Sequence, residues 1–167
     1  AKDVRIENLS LIGSDFSLRW YICRADETLR DGKDNSTPEP LQQGLVFAEN
    51  VDGLHVTGCR ILAAGHSGVW LNKFARRSVV ENCLISGAGF SGIYANGFMP
   101  GEGDFTSGHK SDVNREHRIE NNFINDCGKY VGAGCGMLFY QSGRNRIAHN
   151  EIGHMPRYGI AFKGLRW

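Results

Sequence analysis

Four carboxylates, Glu102, Asp104, Asp112 and Asp126, are the side chains whose type suits paired acid and base work. Glycoside hydrolysis needs two such groups, about 5 Å apart in retaining enzymes and ~6.5–9.5 Å apart in inverting ones. His66, His109 and His154 add imidazoles that change charge near neutral pH. Trp70, Tyr94 and Tyr140 offer ring faces on which the C–H face of a pyranose can pack. Asn96, Arg157, Tyr158 and Lys163 supply hydrogen bonds and positive charge for a polar or acidic ligand. Each also has a plainer reading. A carboxylate in a loop commonly caps a turn, and Asp126 opens the turn Asp126-Cys127-Gly128. His66 and His154 equally suit polar turn positions, and the aromatics suit a small second core.

The elements that would position these groups follow from a repeat. A Gly-apolar-x-apolar unit begins at Gly44, Gly68, Gly92, Gly136 and Gly159, stepping by 24, 24, 44 and 23 residues. A second unit recurs beside it, as Arg5-Ile6-Glu7-Asn8-Leu9, Val79-Val80-Glu81-Asn82-Cys83, Arg118-Ile119-Glu120-Asn121-Asn122 and Arg146-Ile147-Ala148-His149-Asn150. Strands this short cannot bury their inward residues alone. Stacking one coil on the next at ~4.8 Å gives every strand neighbours and makes a continuous core. The spacing therefore predicts an all-β fold, a right-handed parallel β-helix of about five coils of ~24 residues with three insertions. One β-helix domain spans residues 1–167. The pattern is already running at Val4 and stops just after a first-sheet strand, which leads us to expect a segment of a longer protein, its remaining coils or caps sealing the ends.

The phase of the repeat sorts side chains. Alternation along the Gly-led strands, the first sheet, puts Leu45, Phe47, Val69, Leu71, Ile93, Met137, Phe139, Ile160 and Phe162 inside. It puts Val46, Trp70, Tyr94, Leu138 and Ala161 outside in one column, and Ala48, Asn72, Asn96, Tyr140 and Lys163 in another. Trp70, Tyr94 and Tyr140 are thus expected to be exposed on one face. Insertions at residues 12–43, 97–113 and 127–135 would border that face and make it a groove. Outward groups on adjacent coils would lie ~5 Å apart, which permits either carboxylate spacing. At the bend between the other two strands, Leu9, Cys59, Cys83, Asn122 and Asn150 stack. Amides at adjacent coils can bond along such a stack, with Cys59 and Cys83 filling the same column rather than forming a disulfide.

Composition narrows the function. A net charge of +1 carries no clustered basic excess of the kind nucleic-acid binding needs. No apolar run approaches the ~18 residues that suggest a membrane helix. Five cysteines without a CxxC pair argue against a zinc site. Gly87-Ala88-Gly89-Phe90-Ser91-Gly92 fits GxGxxG, but a strand follows where a dinucleotide site needs a helix. His149 and His154 form no HExxH, so a structural role is expected for both.

Asn121-Asn122-Phe123-Ile124, Gly134-Cys135-Gly136-Met137, His149-Asn150-Glu151-Ile152 and Pro156-Arg157-Tyr158-Gly159-Ile160 resemble secreted bacterial β-helix proteins of the pectate-lyase-like superfamily. The resemblance implies the fold, a secreted or periplasmic location, and a polysaccharide or oligosaccharide partner. It carries no catalytic motif residue by residue. Hydrolysis of a glycan is the leading expectation. A lyase or epimerase acting on a uronate is the alternative, through Lys73, Lys129, Arg157 or Lys163 and with Ca2+. A non-catalytic solenoid for glycan binding or surface attachment is the third. Hydrolysis and plain binding imply no cofactor.

Overall fold

The computed structural model describes residues 1–15, 44–98 and 114–164. Among these there are fifteen strands and no helix. The chain runs β1 (Lys2–Glu7), β2 (Ser10–Ile12), β3 (Gly44–Thr57), β4 (Arg60–Leu62) and β5 (Ser67–Arg76). It continues through β6 (Val79–Glu81), β7 (Leu84–Ser86), β8 (Ile93–Asn96), β9 (Asn114–Arg115) and β10 (Arg118–Glu120). It ends with β11 (Phe123–Asn125), β12 (Cys135–Tyr140), β13 (Arg146–Ala148), β14 (Glu151–Gly153) and β15 (Tyr158–Lys163). Strands pair in parallel with their counterparts one coil away, as β5–β8–β12–β15, β3–β6–β10–β13 and β4–β7–β11–β14. The expected parallel β-helix is what the chain forms.

Inward columns fill the core. Val69, Ile93 and Met137 stack beneath the first sheet, and Ile61, Ile85 and Ile124 rise to meet them from the third side. All six are sealed from solvent, and burying each such side chain is worth ~1.5–3 kcal/mol. The leading glycine of the repeat has its reason here. A Cβ on Gly68, Gly92 or Gly136 would come within 2.7, 2.5 and 2.4 Å of Cγ2 of Ile85, Ile124 and Ile152. The motif is an inward pair, glycine then apolar, with the glycine leaving room for the third-side isoleucine.

Gly44 departs from this rule. It lies opposite Ser67, not Gly68, so the first repeat is one residue out of step. Val46 and Ala48 align with the inward Val69 and Leu71, while Phe47 aligns with Trp70 and Glu49 with Asn72. A one-residue slip exchanges the faces of a strand. The expectation of Phe47 inside and Val46 outside is thus reversed, and Glu49, not Ala48, heads the second outward column.

The bend column forms the ladder that the sequence suggests. Cys59 N–H donates to Cys83 Sγ at 3.4 Å, Cys83 N–H to Asn122 Oδ1 at 3.0 Å, and Asn122 N–H to Asn150 Oδ1 at 3.0 Å. Each coil thus accepts the bend amide of its neighbour. Cys59 and Cys83 are free thiols, and their S–H groups donate to backbone carbonyls. Burial pushes the Cys83 thiol up to about 11, which keeps it protonated as a donor.

A second ladder occupies the bend before strands β6, β10 and β13. Ser78 N–H donates to His117 Nδ1 at 3.3 Å, and His117 N–H to Asn145 Oδ1 at 3.0 Å. The corners between sheets are left-handed. Gly13, Ala63, Gly87, Asp126 and His154 share one corner, with φ between 53° and 77°. Asn8, Gly58, Asn82, Asn121 and His149 share another, with φ between 55° and 63°. His149 is therefore a corner residue, and the GxGxxG glycine Gly87 lies in a turn.

Candidate functional site

The outer face of the first sheet carries two columns in register. One runs Phe47, Trp70, Tyr94, Leu138 and Ala161; the other runs Glu49, Asn72, Asn96, Tyr140 and Lys163. The phase of the sequence placed Trp70 and Tyr94 correctly on the outward side, but they are not open. Trp70 is 6% exposed and Tyr94 4%. Phe47 meets Trp70 edge-on, and Trp70 lies 5.3 Å from Tyr94 between ring centroids. His66 stacks on Trp70 at 5.1 Å, and Phe90 meets Tyr94 edge-on at 5.7 Å. Alternation fixes the side of a strand on which a ring stands. It does not say what the turn before the strand lays over it, and here those turns supply His66 and Phe90. The expectation that these rings form a sugar platform is corrected: they make a second apolar core with Cys135 and Leu138.

The polar column is knitted to this core. Trp70 Nε1–H donates to Asn96 Oδ1, and Asn72 Nδ2 donates to Glu49 Oε2 at 2.5 Å. Asn114 Nδ2 reaches the carbonyls of Leu71, Lys73 and Asn96 at 3.0, 3.2 and 3.2 Å. Asn72 and Asn96 are buried as well, so among the described residues the middle of the face is closed. Glu49 is a carboxylate on this face that the sequence reasoning missed. Its signal was the frame of the first strand, which the displaced glycine concealed.

β15 is the last strand of its stack among the described residues, and its side chains are exposed on both sides of the sheet. Tyr158 is 48% exposed, with the Arg157 guanidinium 5.0 Å from its ring centroid. Tyr158 pairs with Cys135, and Lys163 pairs with Tyr140 on the neighbouring strand. Ala161, in register with the buried Leu138, stands between them on β15. Burial pushes the Cys135 thiol up, while the Lys163 and Arg157 charges each lower it. On this coil the inward Ile160 and Phe162 are also exposed, at 38% and 50%, Phe162 stacking on Phe139.

The remaining expected site residues are scattered. His66 is fully buried, with Nδ1 3.0 Å from Ser67 Oγ, and so is out of reach of a ligand. Asp126 and His154 stand at one left-handed corner. Asp126 is ion-paired to Lys129 at 2.6 Å, and His154 Nδ1 lies 2.8 Å from Asn125 Oδ1. Glu102, Asp104, His109 and Asp112 lie outside the described residues. The insertion at 127–135 packs on the neighbouring turn, where the Tyr130 and Val131 N–H groups both donate to Gly89 O at 3.0 Å. The insertion at 97–113, except its first two residues, and most of 12–43 lie outside the described residues. No group of three or more His, Cys, Asp or Glu side chains that could hold a metal occurs among the described residues.

A stack of short parallel strands with a bend ladder and an inward glycine column defines a right-handed β-helix. Residues 43–165 match the right handed beta helix region family, and the chain belongs to it. No curated protein and no solved structure matches the chain.

Proposed function

We propose that this β-helix binds an acidic glycan across the outer end of its first sheet, as a secreted or periplasmic protein. The observation that carries the reading is that Arg157, Tyr158 and Lys163 stand exposed on the last described coil, with the half-buried Tyr140 in register beside Lys163. Tyrosine rings suit sugar C–H faces. A guanidinium binds a carboxylate or sulfate through two parallel hydrogen bonds, and the lysine ammonium adds a point charge. Uronates fit this combination better than neutral sugars. The proposal is one of binding. Glu49 is the one carboxylate in the two outward columns among the described residues, whereas hydrolysis needs two.

Isothermal titration of the chain with polygalacturonate, alginate and a neutral xylan tests this. Binding to the two acidic polymers should weaken with added salt. Arg157→Ala and Lys163→Ala should each lower affinity about tenfold, the loss of roughly one charge-assisted contact. Equal affinity for xylan, or unchanged binding in both variants, sinks the proposal.

A further inference from the structure

We propose that His117 and Asn114 form an acid-released latch that ties the middle of β5 to the end of β8 and keeps Trp70 in place. The geometry fixes the proton. Ser78 N–H can only donate, so Nδ1 of His117 must be the bare nitrogen. Nε2 then carries the hydrogen, and it lies 3.2 Å from Asn114 Oδ1. With its oxygen so engaged, the Asn114 amide turns its Nδ2 toward Leu71 O and Lys73 O, in the middle of β5, and Asn96 O, at the end of β8. Asn96 in turn accepts from the Trp70 indole. One imidazole tautomer thereby sets the orientation of an amide that joins two coils, and the chain of contacts ends at the buried aromatic core.

A second proton on His117 would point Nδ1–H at the Ser78 N–H. Two donors cannot share that line, and the ring would have to leave its site. Burial alone pushes His117 down to about 3, so the latch stays shut until the medium is strongly acidic. The charged groups nearby do not set this behaviour. Glu116 and Arg118 flank His117 on its own segment, Arg77 lies on the coil before, and Arg144 and Arg146 on the coil after. Arg77 is paired with Asp52, Arg144 with Glu116, and Arg118 and Arg146 with Glu120.

Nuclear magnetic resonance of the chain between pH 7 and pH 2.5 tests the latch. The His117 ring should show the Nε2–H tautomer at pH 7 and titrate near pH 3. At the same midpoint the Ser78 amide, the Asn114 side-chain amide and the Trp70 indole N–H should all shift. The methyl groups of Ile85, Ile93 and Ile124 should keep their native positions. His117→Asn restores an acceptor of the kind Asn145 supplies one coil on, and should abolish the transition while the fold persists. A His117 midpoint near 6.5, an unchanged transition in His117→Asn, or loss of the isoleucine signals together with His117 protonation each overturns the proposal.

Discussion

Replacing Asn122 measures how much the bend ladder stabilises this fold. Its Oδ1 accepts the Cys83 N–H at 3.0 Å, and its Nδ2 donates to Val80 O and to Asn150 Oδ1, both at 2.9 Å. Asn122→Ala removes all three bonds and leaves the buried Cys83 N–H without an acceptor. The two bonds lost from Nδ2 cost ~1 kcal/mol each and the orphaned buried Cys83 donor ~1–3 kcal/mol, so the total is about 3–5 kcal/mol. Asn122→Cys is the informative control. Cys83 already fills the same column one coil earlier, where its sulfur accepts the Cys59 N–H at 3.4 Å and donates to Glu81 O at 3.2 Å. A thiol at 122 should therefore satisfy the amide, if weakly, and cost ~1–2 kcal/mol. Urea unfolding followed by circular dichroism reads both variants. For a slope of ~2 kcal/mol/M, the alanine midpoint should fall by about 2 M and the cysteine midpoint by less than ~1 M. Equal losses for alanine and cysteine would show that side-chain volume, not the satisfied amide, holds the bend, and the ladder argument would fail.

Trp70→Ala should destabilise the chain by about 3–5 kcal/mol, the usual loss for a buried aromatic. Trp70→Phe, a milder cut, should leave glycan affinity within about twofold in titration, because the ring is a core residue here and not a platform. Gly92→Ala should cost ~2 kcal/mol or more in urea unfolding, because the new methyl lands 2.5 Å from Ile124 Cγ2 and 2.7 Å from Gly136 O. Ala63→Gly should stabilise by up to ~1 kcal/mol, since an exposed alanine at φ 53° is strained relative to glycine. Stability should also fall in acid through His117. Its folded pKa, about 3, lies below its unfolded value of 6.5, so the unfolded chain takes the proton first. The contribution is complete above pH 6.5 and is lost at about 1.4 kcal/mol per pH unit on the way toward 3. His117→Asn should flatten that slope between pH 6.5 and 4 in urea titrations.

The sequence alone determined the coils, because a solenoid repeats one packing problem and must answer it with the same residue types each time. Asn122 and Asn150 announced the bend ladder, and Gly68, Gly92 and Gly136 announced the inward turn of the first sheet. What the repeat could not carry was anything held by unlike residues. Ser78, His117 and Asn145 make a second ladder, yet share no side-chain type, and only their stacking reveals it. Gly44 mimics the repeat while standing one residue out of register, and the hydrogen-bonded partners of β3 decide that Phe47 faces out and Glu49 heads the polar column. Periodicity also set the direction of Trp70 and Tyr94 but not their cover, since His66 and Phe90 reach them from turns outside the alternating strands. A local pattern dictates which way a side chain points. Whether it meets solvent depends on segments distant in sequence, and that only the tertiary structure decides.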